Sequence, residues 1–115
     1  MKIQTPRRSR RVPMNCPGRY MGPSDQDWLE CRVIDLSLDG AALEVPIPTD
    51  EPSVVTLELQ DGDGHPIGLE LRGAVSNWEA FGDDRLRIGV AFVDMTSLQR
   101  YKLAGLLSAQ RRAAQ

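Results

Sequence analysis

Polar groups of this 115-residue chain cluster in Asp35-Leu36-Ser37-Leu38-Asp39-Gly40, set between the apolar runs Cys31-Arg32-Val33-Ile34 and Ala41-Ala42-Leu43-Glu44-Val45. Asp35 and Ser37 stand two residues apart, so on an extended backbone they project to the same side. Gly40 permits a turn with φ > 0, or close approach of a ligand to bare backbone. A carboxylate, a hydroxyl and exposed amides on one surface suit a ligand rich in N–H donors and anionic oxygens. The same trio is also the material of an ordinary strand-to-strand turn.

A second cluster heads the chain, in Pro6-Arg7-Arg8-Ser9-Arg10-Arg11-Val12-Pro13. Arg7 and Arg11 have the spacing R-x-x-x-R, and Asp35, Ser37 and Gly40 follow as D-x-S-x-x-G. The two motifs, in this order, resemble the PilZ domain, a bacterial receptor module for cyclic di-GMP. Ala74-Val75-Ser76-Asn77-Trp78, the segment Arg87-Ile88-Gly89-Val90-Ala91-Phe92 and the apolar helix after it extend the likeness over nearly the whole chain. The resemblance implies that Arg7 and Arg11 grip phosphate and a guanine Hoogsteen edge. It also implies that Asp35 accepts from guanine N–H groups, while Ser37 and the backbone near Gly40 complete the base pocket. Arg8 and Arg10, between the motif positions, are further candidates for phosphate contact or simply solvated cations.

Chemistry agrees with that assignment. Cyclic di-GMP offers two phosphate charges, guanine edges and flat purine faces. A guanidinium forks onto phosphate oxygens or guanine O6 and N7 and also stacks on a base; lysine does only part of this. The stretch from Met1 to Tyr20 holds Lys2, Arg7, Arg8, Arg10, Arg11 and Arg19 and no acid, although the chain as a whole has a net charge of −2. A basic arm on an acidic body attracts an anionic ligand locally without making the protein a nucleic-acid binder. With 5% aromatic residues it also lacks a base-stacking platform for single strands.

Composition bounds the rest. The length fits one domain, with residues 1–11 expected as a flexible basic arm and 12–115 as a single barrel domain whose C-terminal helix begins at about 96. No apolar run is long enough to span a bilayer, and the basic N-terminus leads into Val12-Pro13-Met14-Asn15 rather than an apolar signal region. A cytoplasmic protein is expected. Cys16 and Cys31 are the only cysteines and His65 the only histidine, so they are read as packing thiols and a turn residue, with no metal site. An EF-hand starting at Asp61 would place Pro66 at the loop's glycine and Arg72 at its bidentate glutamate, which excludes calcium of that kind. No nucleophile elbow, P-loop or metal motif supports an enzyme.

Period-two alternation outlines the strands that must position the motifs. Val12 to Met21 carries Pro13 and Pro17 and reads as a strand at a sheet edge. Leu29, Cys31 and Val33 mark a second strand, Ala41, Leu43 and Val45 a third, and Val55, Leu57 and Leu59 a fourth. Pro46 to Pro52 makes a loop, and Asp61-Gly62-Asp63-Gly64 a tight turn. Ile67 to Val75 forms the longest strand, ending near Asn77-Trp78, where Trp78 packs, and Leu86 to Phe92 forms its partner. Thr96-Ser97-Leu98-Gln99 is a capping box opening a helix whose apolar stripe is Leu98, Tyr101, Leu103, Leu106 and Leu107. The pattern predicts a mainly all-β fold, a small six-stranded antiparallel β-barrel with one C-terminal α-helix. The PilZ resemblance implies the same fold. It also implies a receptor or adaptor that switches conformation on binding cyclic di-GMP to regulate motility, biofilm or exopolysaccharide output, through a downstream protein partner, with no cofactor, nucleic acid or membrane involved. The alternative is an adaptor whose partner contact dominates over ligand binding.

Overall fold

The computed structural model describes residues 10–23, 25–46, 53–80 and 82–113. The strands are β1 (Val12–Met21), β2 (Leu29–Leu36), β3 (Gly40–Pro46), β4 (Val54–Gln60), β5 (Pro66–Ala80) and β6 (Arg85–Val93), followed by helix α1 (Ser97–Ala113). All neighbours are antiparallel, and the order β1-β2-β3-β6-β5-β4 closes on itself as a barrel. The six-stranded barrel with one C-terminal helix is therefore the architecture expected from the alternation. Beyond Pro46, the proline-rich loop lies outside the described residues, as do Arg7 and Arg8 and the arm up to residue 9.

Inward positions fill one core. Val33, Leu36, Leu43, Leu57, Leu59, Leu71 and Ile88 are fully buried, each such side chain contributing roughly 1.5–3 kcal/mol by leaving water. Cys31 is buried with them, Cys16 is half-buried, and both are free thiols. Trp78, opposite Ile88, packs against the same core.

The barrel closes between β1 and β4, where Arg19 stands opposite Glu58. Glu58 is a buried carboxylate, and Arg19 Nε donates to its Oε1 at 2.7 Å. The Arg19 guanidinium also lies 5.2 Å from the Trp28 ring centroid, so a hydrogen-bonded charge pair and a cation–π contact latch the seam together. On the outer face of β2, β3, β6 and β5, Arg32 stands opposite Glu44, Glu44 opposite Arg87, and Arg87 opposite Glu79, an alternating-charge row across the sheet.

Helix α1 is capped as its sequence requires. Thr96 N–H donates to Gln99 Oε1 at 2.8 Å and Gln99 N–H donates to Thr96 Oγ1 at 3.1 Å. Gln99 Nε2 also donates to the Glu70 carbonyl at 2.8 Å, tying the cap to β5. The helix rests on the barrel through Leu103 and Leu107, with Leu106 partly buried. Here the expected stripe is corrected: Leu98 and Tyr101 are 62% and 77% exposed. A helix crossing a curved barrel touches it along a narrower face than the broad stripe the spacing allows.

Candidate functional site

The corner between β2 and β3 is built by Ser37, Leu38 and Asp39. Ser37 N–H donates to the Gly40 carbonyl at 2.9 Å, closing the turn. The Ser37 hydroxyl is buried and accepts from the amides of Asp39 at 3.1 Å and Gly40 at 3.2 Å, the local bonding for which serine is favoured in turns. Leu38 packs back onto the core, and Phe92 N–H donates to the Asp39 carbonyl at 2.8 Å, anchoring the corner to β6. The motif serine thus shapes the corner from inside while Asp35 faces out.

Of the two uses the sequence suggests for Gly40, the positive φ is not adopted. The neighbour that comes close is protein backbone: a Cβ added there would lie 2.2 Å from the Val90 carbonyl oxygen. Only glycine lets β3 enter its ladder with β6 at this point.

Asp35 sits where β2 pairs with β1 and β3, opposite Pro13 and Ala42. Immediately before β1, Arg11 Nη1 donates to Asp35 Oδ1 at 2.5 Å, joining residues 24 apart in the chain. The two side chains are 34% and 26% exposed, so solvent reaches both. Among the described residues this is the only partner of the Arg11 guanidinium, which carries five N–H donors in all, so most of its fork is available to an anion. Arg10 is exposed beside it. The corner therefore offers an acceptor carboxylate, two guanidinium groups and a rigid turn on one rim of the barrel. Of the sequence-predicted residues, Arg11, Asp35, Ser37 and Gly40 come together there; Arg7 and Arg8 lie outside the described residues.

A neighbouring group lies in Ala74-Val75-Ser76-Asn77-Trp78, which the sequence marks only by its likeness to the family. A bulge between Val75 and Asn77 resets the alternation of β5, and Asn77 comes to lie opposite Gly89 on the outer face, where Ser76 Oγ donates to the Gly89 carbonyl at 3.1 Å. On the far turn, Asp61, Asp63 and His65 bring ligand-type atoms within 4.8 Å of one another, all exposed. Asp61 Oδ1 there accepts from the amides of Asp63 at 2.8 Å and His65 at 3.0 Å, which holds its carboxyl below the usual range. These bonds close the tight turn, with Gly64 at φ 84°.

The fold is thus a closed six-stranded barrel carrying an arginine–aspartate corner beside a serine-braced turn. The family model described as "PilZ domain" matches residues 5–109, and the chain belongs to the PilZ domain family. Among solved structures it is similar to the PilZ domain with c-di-GMP of YcgR from Escherichia coli, at 18% identity and a TM-score of 0.70, covering 96% of this chain and 95% of that one. It is also similar to the inhibitor of motility MotI/DgrA from Bacillus subtilis, at 10% identity and a TM-score of 0.71, covering 99% of this chain and 55% of that one. MrkH from K. pneumonia in its apo state gives 15% identity and a TM-score of 0.70, covering 98% of this chain and 54% of that one. This chain thus spans about half the length of the latter two, and at these identities the likeness is one of fold. No curated protein matches the chain.

Proposed function

We propose that this chain is a cyclic di-GMP receptor that acts by conformational switching, without catalysis. The single observation that carries the reading is the Arg11–Asp35 ion pair, which joins the R-x-x-x-R motif to the D-x-S-x-x-G motif at one solvent-accessible corner. Membership of the PilZ family, and a similar PilZ domain that holds c-di-GMP, support the choice of ligand.

In this reading Arg11, with Arg7, grips phosphate and the guanine Hoogsteen edge, and Arg10 and Arg8 add charge. Asp35 accepts from guanine N–H groups, and Ser37 and Gly40 hold the corner backbone that completes the base pocket. Residues 1–11 act as the basic arm and 12–115 as one barrel domain. Ligand draws the arm over the corner, and a downstream protein reads the change, with motility, biofilm or exopolysaccharide output as its target. The setting is the cytoplasm; among the described residues no helix is long and apolar enough to cross a membrane.

Calorimetric titration with cyclic di-GMP and cyclic di-AMP tests the reading. Adenine presents an amino donor where guanine presents O6, so cyclic di-GMP should bind more tightly, each bidentate guanine contact being worth about 1–3 kcal/mol. No binding of cyclic di-GMP, or equal affinity for the two, overturns it.

A further inference from the structure

Charge is distributed unevenly along the chain. All 16 acidic residues lie from Asp25 to Asp94, whereas α1 carries Arg100, Lys102, Arg111 and Arg112 and no acid. Arg111 and Arg112 stand in the last turn, where cations suit the negative end of the helix dipole. Arg100 stands in the first turn, where the dipole favours an acid, so helix stability does not account for it. Arg100, Arg111 and Arg112 are exposed, and their side chains form no ion pair among the described residues. Lys102 reaches only a backbone carbonyl, that of Gly68, at 3.5 Å.

Apolar exposure gathers on the same element. Of the four exposed large apolar side chains among the described residues, Leu98 and Tyr101 are on α1 and Ile67 is on β5. Ile67 precedes the Gly68 carbonyl that Lys102 reaches, and Gln99 holds the Glu70 carbonyl, so this stretch of β5 runs beside the first turns of α1. At about 100° per residue, Leu98, Tyr101, Gly105, Ala109 and Arg112 fall on the side of α1 opposite the buried Leu103 and Leu107. Nothing beyond the helix's own backbone lies within 4 Å of a Cβ built on Gly105, so the middle of this face is low and open.

We propose that this face of α1 is a docking surface for another protein, which binds through an acidic amphipathic helix. The partner's apolar side covers Leu98, Tyr101 and Ile67 and crosses closely at Gly105, and its carboxylates meet the four cations of α1. Charge selects this occupant. The α1 of a second copy would set cation against cation, and a nucleic acid would answer the cations while leaving Leu98 and Ile67 in water. A membrane surface would need a broader apolar side than Leu98 and Tyr101 supply. Arg100 and Arg111 are separated by three turns, so they lie on one flank of α1 roughly 16 Å apart and call for carboxylates at the same spacing on the partner. The inference goes beyond the receptor reading and does not rest on it.

The probe is a synthetic helical peptide with leucine and alanine on one side, flanked by glutamates three turns apart, compared with a twin in which glutamine replaces each glutamate. In fluorescence anisotropy titrations with the full chain at low salt, the acidic peptide should bind at least tenfold more tightly than its twin, and more weakly as salt is raised. Arg100→Glu combined with Arg111→Glu should weaken that binding roughly tenfold, and Tyr101→Ser at least threefold. Both proteins should melt within a few degrees of the wild type, because the altered side chains are exposed. Equal binding of the two peptides, no binding of the acidic one, or variants that bind it like the wild type would overturn the proposal. Tighter binding to phosphatidylserine vesicles or duplex DNA would overturn it too, as would self-association of the chain in sedimentation that the double charge reversal abolishes.

Discussion

The Gly40 α-carbon lies so close to the Val90 carbonyl that a single added methyl group would sit 2.2 Å from that oxygen. The obstacle is backbone in a paired strand, so it cannot swing aside like a side chain. Gly40→Ala should therefore destabilise the barrel at or above the upper end of the roughly 1–3 kcal/mol that overpacking costs. Chemical denaturation measures this. A variant as stable as the wild type would mean that β3 and β6 part easily here, and the glycine would return to a ligand-side role.

Asp35 and Ser37 should separate binding from folding. The Arg11–Asp35 pair is about one-third and one-quarter exposed, so Asp35→Ala should cost under about 1 kcal/mol of stability while weakening cyclic di-GMP binding at least tenfold. Ser37→Ala removes the acceptor of two corner amides, and should cost about 1–3 kcal/mol of stability as well as affinity. Thermal melts and titrations of the two variants together decide the matter. An Asp35→Ala protein that unfolds, or a Ser37→Ala protein of unchanged stability, contradicts the division of labour.

Within the arginines, Arg11→Ala should weaken binding more than Arg10→Ala. Arg11 is held against Asp35, while Arg10 is exposed beside it. The opposite order in a titration would move the grip off the motif.

The strands were legible because a half-buried strand writes its inner face into every second residue, as Leu57 and Leu59, or Ile88 and Val90, do here. What alternation cannot carry is a change of phase. Asn15, at φ 49°, lies within the β1 irregularity between Pro13 and Cys16, and the bulge at Ser76 swaps which residues of β5 face out. Both depend on the partner strand, so local alternation does not announce them. The paired motifs single out Asp35 and Arg11, which the fold brings into one ion pair, whereas the close approach at Gly40 depends on β6, which lies far along the chain. Barrel closure through Arg19 and Glu58 is likewise a tertiary fact, since no local pattern announces that the first strand meets the fourth.

The helix offers a sharp contrast in stability. Leu103→Ala should cost about 2–5 kcal/mol, because its side chain is fully buried under the barrel. Tyr101→Ser, at a position 77% exposed, should fall within about 0.5 kcal/mol of wild type. Guanidinium denaturation of both variants checks the orientation of α1, and a reversal of the two costs would rotate the helix.

Burial pushes the Cys31 thiol up to about 12, with a smaller push from neighbouring Cys16, and burial raises Cys16 and Tyr20 in the same direction. For Cys31 the folded protein keeps its proton above the ordinary value of 9.0, where the unfolded chain loses it. Its contribution to stability is therefore intact below about pH 9 and declines between 9 and 12, by at most roughly 1.4 kcal/mol per pH unit. Denaturation under reducing conditions at pH 7.5 and about pH 10 should show a smaller loss for Cys31→Ala than for the wild type. An identical loss in both would place the alkaline weakness elsewhere.

Strand β1 behaves as a clasp with two unequal halves. From Gly18 to Met21 it is stitched to β4, and from Cys16 to Tyr20 to β2, but among the described residues Val12 and Pro13 have ladder partners only on β2. The hinge between the halves is the Asn15 kink. A pull transmitted through Arg11 would peel Val12 and Pro13 from β2 as far as that kink, rupturing a single ladder, while the Arg19–Glu58 latch kept the cylinder shut. On the proposed receptor reading, ligand capture at the rim would loosen or tighten the front of β1 at the cost of exposing Val12, a core side chain, but without the cost of opening the whole barrel.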